Sequence, residues 1–277
     1  MPRETQFILS GAEFSYPGSS GKVLSGIDLE IRAGEWVALL GSNGSGKTTL
    51  LKILSALLVP TQGSSFILGL PPDDGAAERK APCAMVFQNP EDQIVASTLE
   101  EEIAFGPENL GCTAEEIRSR VTHSLEACGL SGMEKQLVSS LSGGQKQRLA
   151  LAGALAMHPS AILLDEALSM LDPLSRREFT EVIAAEHAKG KTIVQVTHRL
   201  EEIRFAERML LLKDGKIAFD MPREDFFRMK CEELSEFGLE LPPFERLCGI
   251  LRTEGLLPDG CAPDICAAEK YLYDAFC

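Results

Sequence analysis

Short apolar runs alternate along the chain with segments whose apolar residues recur at helical spacing. Four runs have the length and character of buried strands, and they cover residues 35–40, 84–87, 161–164 and 192–196. Between them, residues 50–58 and 149–155 place apolar side chains on one face of a helix, and Pro60 ends the first of these helices. Alternating strands and helices predict an α/β protein with a parallel sheet.

A candidate phosphate site follows the first of these strands. The chain continues there as Gly41-Ser42-Asn43-Gly44-Ser45-Gly46-Lys47-Thr48-Thr49 and then enters a helix. Strand, glycine-rich loop and helix are the context in which the G-x-x-x-x-G-K-[ST] pattern binds phosphate. Glycines let backbone N–H groups turn toward phosphate oxygens, and the helix N-terminus adds its dipole. Lys47 supplies a cation to the outer phosphates, and Thr48 offers a hydroxyl to Mg²⁺.

Two acidic residues end the strand at residues 161–164. Asp165 comes at the carboxyl end of this apolar run, and Glu166 follows it. A carboxylate delivered by a buried strand beside a phosphate loop suits a magnesium site, so Asp165 is the candidate for Mg²⁺. Glu166 is the candidate that orients or deprotonates an attacking water. A strand ending in Asp-Glu is common by itself, and this interpretation depends on the phosphate loop.

A second glycine motif lies about 95 residues after the first, in Leu141-Ser142-Gly143-Gly144-Gln145. Ser142 is a favourable N-cap for the following helix, and the two glycines expose backbone N–H groups at its start. This is a second phosphate-binding device that has no lysine or magnesium ligand of its own. Two half-sites so far apart predict that two subunits face each other head to tail, each completing the site of the other.

Charge and composition narrow the function further. The formal net charge of -14 argues against broad binding to nucleic acid or to anionic membranes. No run approaches the ~18–20 apolar residues of a membrane-spanning helix, and the first ten residues lack the apolar core of a signal peptide. Any contact with a membrane is therefore expected to pass through partner proteins. The eight cysteines form no Cys-x-x-Cys pair, which favours reduced thiols over a zinc site.

The two glycine motifs and the acidic strand, in this order, resemble those of the ATPase subunits of ABC transporters. The resemblance covers residues from about 5 to about 225. Four further landmarks of that family follow in order, although each is a weak signal alone: Tyr16, Gln88, Leu171-Asp172 and His198. The resemblance implies that Tyr16 stacks on adenine and that Gln88 reaches Mg²⁺ and the attacking water. It also implies that Leu171-Asp172 crosses a dimer interface and that His198 contacts the γ-phosphate.

The resemblance also implies an architecture. It is an α/β fold in which a P-loop NTPase core of the ABC ATPase type, with a mixed sheet, carries a helical subdomain insert and a small helical C-terminal extension. Residues 1–90 and 160–222 are assigned to the nucleotide-binding core, 91–159 to the helical subdomain and 223–277 to the extension. Leu168 stands where many members have threonine, which puts any hydrogen bond of that hydroxyl in doubt but leaves both acids intact.

The long stretch from Gln88 to Gly111 is similar to energy-coupling-factor transporters, which import vitamins and metal ions. The form Asn-Pro-x-x-Gln is similar to the first of the two ATPase types in that family. An acidic groove would suit arginine-bearing coupling helices, and we expect Glu91 and Asp92 to help receive them. The remaining acidic residues of this candidate surface are Glu100, Glu101, Glu102 and Glu108. The alternative is a solvated acidic helix start.

The C-terminal part predicts a hairpin turn at Asp214-Gly215-Lys216, followed by short helices that prolines interrupt. Its apolar residues form an interrupted stripe: Phe226, Phe227, Met229, Leu234, Phe237 and Leu239. Residues 237–242 and 254–258 resemble the extension that holds the two ATPases of such transporters together. A separate regulatory module is the alternative.

The resemblance implies ATP and Mg²⁺ as cofactors and an enzyme that hydrolyses ATP at the cytoplasmic face of a cell membrane. The implied partners are a second ATPase subunit (a paralogue or another copy), a transmembrane coupling subunit and a substrate-capturing membrane subunit, without nucleic acid. In the implied mechanism, closure of the two subunits is the work stroke. Two alternatives stay open: a conventional ABC importer or exporter ATPase, and a soluble ABC ATPase acting on nucleic acid or ribosomes.

Overall fold

A computed structural model of the protein describes residues 4–19, 21–72, 83–229, 231–235, 237–239 and 243–255. Its strands are β1 (Thr5–Phe14), β2 (Leu24–Arg32), β3 (Trp36–Leu40), β4 (Gln62–Ile67), β5 (Cys83–Val86), β6 (Ala161–Asp165), β7 (Thr192–Val196), β8 (Arg208–Lys213) and β9 (Lys216–Pro222). Its α-helices are α1 (Lys47–Leu54), α2 (Leu99–Asn109), α3 (Ala114–Ala127), α4 (Gly143–Ala156), α5 (Pro173–Ala188), α6 (Arg223–Phe226), α7 (Cys231–Ser235) and α8 (Pro243–Thr253).

The central sheet has six strands in the order β5-β6-β7-β3-β8-β9. The first five run parallel, and β9 pairs antiparallel with β8 at the edge. The sheet is therefore mixed, as expected. Asp214 and Gly215 both have positive φ between β8 and β9, which confirms the predicted hairpin turn.

A separate antiparallel sheet has the order β2-β1-β4. The sequence pattern did not distinguish this sheet from the parallel one, because strands of both are interleaved along the first 90 residues. Alternate side chains of β3 serve two hydrophobic cores on opposite faces of the central sheet. Val37 and Leu39 face the core that includes β1, β2 and α1, whereas Trp36 and Ala38 face the core that includes α2–α4.

Helix α1 is shorter than the sequence predicts. The apolar pattern extends the helix to Leu58, but it ends at Leu54 with Ser55 as its C-cap. Ala56 adopts a φ of 59°, a left-handed conformation that a helix cannot continue through. Leu57 consequently lies outside the helix and is 59% exposed. The prediction that the helix continues through Leu57 and Leu58 to Pro60 is wrong, although Leu58 is partly buried against the core.

Helices α2, α3 and α4 pack on one another and begin with the same local device. Thr98, Thr113 and Ser142 are their N-caps, and each forms a reciprocal capping box with the residue three positions later. Each cap is satisfied within its own helix, but α2 also uses tertiary contacts: the N–H groups of Leu99 and Glu100 donate to Gln136 O at 3.3 Å and Glu134 O at 2.9 Å. Among the described helices, none is both long and apolar enough to cross a bilayer.

The apolar stripe after β9 packs into the chain's own core. Phe226 and Leu234 are fully buried, and Leu239 is 3% exposed, all in the cluster formed by the central sheet and α2–α4. Short helices follow β9 as predicted, but these three side chains are not a free interface. In α8, by contrast, Leu247 and Ile250 are exposed. The predicted helix breaks at Pro258 and Pro263, and the resemblance at residues 256–258, lie outside the described residues.

Candidate functional site

The candidate site lies where four neighbouring parallel strands end. Strands β5, β6, β7 and β3 are adjacent in the sheet, so their carboxyl ends share one edge. Beyond these ends come Gln88, Glu166, His198 and the loop of residues 41–46. The order of strands in the sheet therefore brings together residues that are more than 150 positions apart in the sequence.

The chain around the first glycine motif leaves little room for side chains at two of its glycines. Gly41 has a φ of 146°, and an added Cβ would lie 2.3 Å from the backbone oxygen of Leu212. Gly46, the N-cap of α1, has a φ of 106°, and a Cβ there would lie 2.9 Å from Leu24 Cδ2. A side chain at Gly41 would require backbone movement, and one at Gly46 would require Leu24 to shift and would be strained by the positive φ. Gly44 also has positive φ but is unobstructed, and it lies with Ser42 and Asn43 on the exposed crest of the loop.

Two polar side chains inside this loop are arranged for an anionic ligand. Lys47 is only 6% exposed, and its Nζ donates to the carbonyl oxygens of Gly41 and Ser42, both at 2.9 Å. Burial lowers the pKa of Lys47, against the opposing influence of the carboxylates of Glu166 and Asp165. The buried Ser45 Oγ has no hydrogen-bond partner within the described residues. A phosphate group would satisfy such an orphaned hydroxyl and would lower the cost of the buried ammonium.

The carboxyl end of β6 contacts the start of α1 through a hydrogen bond between two side chains. Thr48 Oγ1 donates to Asp165 Oδ1 over 3.1 Å. Burial raises the pKa of Asp165; the Thr48 hydrogen bond opposes this rise, and the charge of Glu166 adds to it. The Asp165 carboxylate is buried at an energetic cost and lies beside the Thr48 hydroxyl. These two oxygen donors fit Mg²⁺.

Glu166 is the point where the other strand ends converge. Its Oε2 accepts a hydrogen bond from Gln88 Nε2 at 3.2 Å and lies 3.7 Å from His198 Nδ1. Glu166 has a φ of 47°, a left-handed conformation that costs a non-glycine residue of order 1–3 kcal/mol. The backbone N–H of Glu166 donates to Val196 O over 3.2 Å, which ties this strained residue to β7.

Tyr16 lies on the other side of the loop, just after β1. Its hydroxyl is 3.2 Å from Thr49 Oγ1, and its ring stands edge-on to Phe14 with centroids 4.9 Å apart. The side chain is 38% exposed. It is therefore a positioned aromatic surface beside the phosphate loop and not a core residue.

The second glycine motif has different surroundings. Ser142 Oγ accepts from Gln145 N at 3.3 Å, and Gln145 Oε1 accepts from Ser142 N at 2.9 Å. Gly143 is exposed, and an added Cβ would meet nothing within 4 Å. At Gly144 an added Cβ would make ordinary contacts with Leu171 and Ser175, 3.6 Å away. Nothing within the described residues requires glycine at position 143.

The acidic stretch is only partly available as a surface. Glu102 is 8% exposed, and its Oε2 accepts from the backbone N–H groups of Val95 at 2.9 Å and Ala96 at 2.7 Å. Including Glu102 in the docking surface is therefore wrong, because its carboxylate closes a turn of its own chain. Glu101 belongs to the capping box of α2. Glu91 is exposed but pairs with Lys146 Nζ at 2.5 Å, and Asp92 is exposed.

Two glutamines that the sequence did not single out hold the strand end before Gln88. The fully buried Gln147 of α4 donates from Nε2 to Phe87 O at 2.9 Å. Gln93 Oε1 accepts from Phe87 N at 3.1 Å, and Gln93 Nε2 donates to Ala150 O at 3.4 Å. Helix α4 is thereby attached to the backbone beside Gln88. Gln93 could have been found only as the last residue of Asn-Pro-x-x-Gln, and Gln147 as a polar residue on a buried helical face.

Leu168 is 3% exposed and packs in the core that includes α4 and α5. The residue that replaces the family's threonine is thus a core side chain here. Within the described residues, no group of three or more histidine, cysteine or acidic side chains is arranged to hold a metal ion. Burial raises the pKa of the Cys128 thiol to about 12, as befits a small core residue. Cys261, Cys266 and Cys277 lie outside the described residues.

Comparison with known proteins places this geometry in a family. Residues 24–169 match the model of the ABC transporter family. The chain is 40% identical to the energy-coupling factor transporter ATP-binding protein EcfA1 of Caldanaerobacter subterraneus subsp. tengcongensis, over 90% of this chain and 93% of that protein. It is 42% identical to the cobalt import ATP-binding protein CbiO of Syntrophus aciditrophicus, over 88% and 87% of the two chains.

Solved structures share the same fold. The structure of cbiO1 from Clostridium perfringens, described as part of the ABC transporter complex cbiONQ, superposes with a TM-score of 0.74 at 28% identity, over 88% of this chain and 99% of that one. A dimeric ATP-binding cassette in a post-hydrolysis state, bound to ADP and Pi, gives a TM-score of 0.72 at 30% identity, over 78% and 98%. The chain is therefore an ATP-hydrolysing member of the ABC transporter family, in the group of energy-coupling factor transporter ATP-binding proteins.

Proposed function

We propose that this chain is one of two paired ATPase subunits that power uptake of a vitamin or a metal ion through an energy-coupling-factor transporter. One contact carries the proposal: Thr48 of the phosphate loop meets Asp165 at the end of β6, 3.1 Å apart. A loop for phosphates and an acid for its metal ion are thus available in one chain. The relatives named as energy-coupling factor ATP-binding proteins support the choice of transporter class.

The roles of the residues at the strand ends follow from their positions. The 41–49 loop binds the phosphates of ATP, with Lys47 neutralising their charge, and Tyr16 stacks on the adenine. Thr48, Asp165 and Gln88 would hold Mg²⁺ through hard oxygen atoms, and the bound ion would supply positive charge against the phosphates. Glu166 orients or deprotonates the attacking water. His198, 3.7 Å from Glu166, contacts the γ-phosphate.

The second glycine motif acts on the nucleotide of a partner subunit. The start of α4 is presented to solvent by Ser142, Gly143, Gly144 and Gln145, and none of the described residues around Gly143 accounts for its lack of a side chain. A phosphate approaching this helix N-terminus would account for it. The dimeric state of the ATP-binding cassette with ADP and Pi supports the pairing of two subunits. Met170 and Leu174, 60% and 66% exposed beside this motif, are available for such a contact.

The partner in the membrane is a coupling subunit, received by the surface around residues 91–108, with a substrate-capturing subunit beyond it. Val95, Phe105 and Leu137 are exposed there with the acidic Glu91 and Asp92. The chain would thus be peripheral, at the cytoplasmic face. Reversing the charge of both acids (Glu91→Lys with Asp92→Lys) should weaken the complex. An intact, transport-competent complex from this double variant would count against this docking surface.

The nucleotide-binding core would comprise residues 1–90 and 160–222. The helical subdomain would comprise residues 91–159, and the pairing extension residues 223–277. Because Phe226, Leu234 and Leu239 are buried in the chain's own core, a deletion from residue 225 would damage folding. A truncation at residue 242 spares these side chains and removes the exposed Leu247 and Ile250. It should weaken pairing of the ATPases while ATP binding is kept. Unchanged pairing would favour a regulatory role for the extension.

Purification of the chain from native membranes in mild detergent, with identification of the copurifying proteins, tests the whole proposal. We expect a second similar ATPase, one coupling membrane protein and small substrate-capturing proteins, which would also name the cargo candidates. A pair of dedicated permeases would identify a conventional ABC importer instead. Recovery without any membrane protein would contradict a transport function and leave the ATPase assignment standing.

A further inference from the structure

A cluster of buried polar side chains lies directly behind His198 and plays no part in the roles described so far. Thr197 and Glu202 are 2% and 6% exposed, and Arg176 of α5 reaches them from the neighbouring helix. Thr197 precedes His198 at the end of β7, and Glu202 lies in the 3₁₀ turn that follows, Leu200–Ile203.

Hydrogen bonds from this cluster fix the backbone on both sides of His198. Thr197 Oγ1 donates to Glu202 Oε2 over 2.6 Å, and the N–H of Arg199 donates to Thr197 Oγ1 over 3.0 Å. The residues before and after His198 are thus both tied to the Glu202 carboxylate, directly or through one hydroxyl. The imidazole itself is exposed, so its direction depends on this backbone more than on packing.

Arg176 connects the same carboxylate to the segment Leu168–Leu171. Its Nη2 donates to Leu171 O at 3.0 Å and its Nε to Leu168 O at 3.4 Å. The Nε atom also lies 3.3 Å from Glu202 Oε1, an ion-pair distance without hydrogen-bond geometry. One guanidinium therefore contacts both ends of the segment that presents the exposed Met170, and it also contacts the carboxylate that holds the backbone at His198.

Packing alone does not account for these charges. Burial raises the pKa of Glu202, the Thr197 hydrogen bond opposes that rise, and the positive charge of Arg176 opposes it as well. An apolar pair of similar volume would fill the site at least as well, since buried ion pairs seldom add net stability. What an apolar pair could not do is bind two carbonyl groups and one hydroxyl at fixed distances.

We propose that Arg176 and Glu202 are positioning residues for ATP hydrolysis, which fix the backbone on both sides of His198 to the carbonyl groups of Leu168 and Leu171. A displacement of this segment by a partner subunit that contacts the exposed Met170 would thereby move His198. The inference rests on the proposed contact of His198 with the γ-phosphate. Neither residue touches the reacting atoms.

The test measures ATP hydrolysis by the complex purified from native membranes. Glu202→Leu and Arg176→Met should each lower kcat by about tenfold and change KM by less than about twofold, because ATP binding does not involve them. Glu202→Gln should stay within about threefold of the parent enzyme, since its amide oxygen still accepts from Thr197. The matched control is Arg177→Met: Arg177 follows on the same helix and pairs at the exposed surface with Glu181. A loss of kcat in Arg177→Met equal to that in Arg176→Met would overturn the proposal.

A double-mutant cycle separates positioning from general structural damage. If Glu202 acts through His198, then Glu202→Leu should cause little further loss of kcat in a His198→Ala background. Thr197→Val, which keeps the side-chain volume, repeats the cycle if Glu202→Leu does not fold. Additive losses would overturn the positioning role but leave the role of His198 intact. An unchanged kcat in His198→Ala alone would overturn both.

Discussion

The two glycine motifs of this chain have glycines for different reasons. In the 41–46 loop the reason is internal, because a Cβ on Gly41 would lie 2.3 Å from Leu212 O and one on Gly46 would lie 2.9 Å from Leu24 Cδ2. At Gly143 the structure contains no such obstacle within 4 Å. The half-site around the first motif is complete within one chain, which supplies its lysine, hydroxyl and acid. The second is an open helix start.

This difference teaches how to interpret a glycine that its own chain does not explain. A residue that gives up side-chain packing and backbone stability without an internal reason is expected to have an external one. At Gly143 the proposed reason is the nucleotide of a second subunit. This difference would be contradicted if matched substitutions in the two motifs had the same effects on stability and on ATP hydrolysis.

The largest effect on ATP hydrolysis is expected at the half-site around the first motif. Glu166→Gln keeps the shape of the side chain but cannot accept a proton, so kcat for ATP hydrolysis should fall by about 10²–10⁴-fold. Nucleotide binding should be retained, and a closed, ATP-bound dimer should accumulate, detectable by size-exclusion chromatography. Glu115→Gln, at an exposed position of α3, is the control. Near-normal hydrolysis by Glu166→Gln would remove Glu166 from the reaction.

The two glycines themselves give the next prediction. Gly41→Ala should lower the free energy of unfolding by about 3 kcal/mol, because its conformation and the contact with Leu212 O both oppose a side chain. Gly143→Ala should change it by less than about 1 kcal/mol, as expected for a substitution at an open helix start. Urea unfolding of the isolated chain measures both values.

Hydrolysis by the complex then completes the glycine comparison. Gly143→Ala should reduce kcat about tenfold despite its stable fold, because the added methyl group meets the partner's nucleotide. Unimpaired hydrolysis by this variant would mean that the second motif does not approach a nucleotide.

The caps of α3 and α4 provide a smaller effect with a built-in control. Ser142→Ala and Thr113→Ala each remove the side chain of a capping box, so each should cost about 1 kcal/mol of unfolding free energy. Only Ser142→Ala should also impair hydrolysis, since Thr113 is not among the proposed site residues and its side chain hydrogen-bonds only to Glu116 among the described residues. Equal activity of the two variants would place Ser142 among purely structural caps.

The smallest effect concerns the surface pair that joins α4 to the acidic stretch. A hydrogen bond from Lys146 lowers the pKa of Glu91 below its ordinary value of 4.5. The pair is therefore complete above that value and is lost as the pH falls through the lowered pKa. Lys146→Met should raise the pKa of Glu91 toward 4.5 in an NMR titration, without a measurable change in melting temperature. An unchanged titration would indicate that the pair does not form in solution.

Local patterns predicted the site better than the fold around it. Strand, loop and helix at residues 36–54, and the strand that ends in Asp165, follow from residue types and spacing that act within a few positions. The order of strands depends on long-range packing, so residue spacing alone could not predict that Gln88 and His198 both approach Glu166; only the family resemblance implied a shared site. The separate three-stranded sheet was missed for the same reason.

The errors have particular physical causes. Hydrophobic periodicity extended α1 to Leu58 because periodicity does not report the backbone reversal at Ala56. Glu102 was assigned to the surface with Glu100 and Glu101, since composition cannot tell which of three successive acids turns inward to accept backbone hydrogen bonds. The apolar stripe around Phe226 and Leu234 was compared with an extension that holds two ATPases together. Apolar residues indicate burial, but they do not indicate which chain they pack against.

The reciprocal cap at Ser142 and Gln145 has a consequence for the energetics of association. Because these two residues satisfy each other's backbone donors, we expect α4 to begin at the same place before and after a partner arrives. The segment would then enter the dimer already ordered, without the entropy penalty of folding on contact. Calorimetry of ATP-driven pairing should accordingly give a modest heat-capacity change, set by the surface that becomes dehydrated and not by coupled folding.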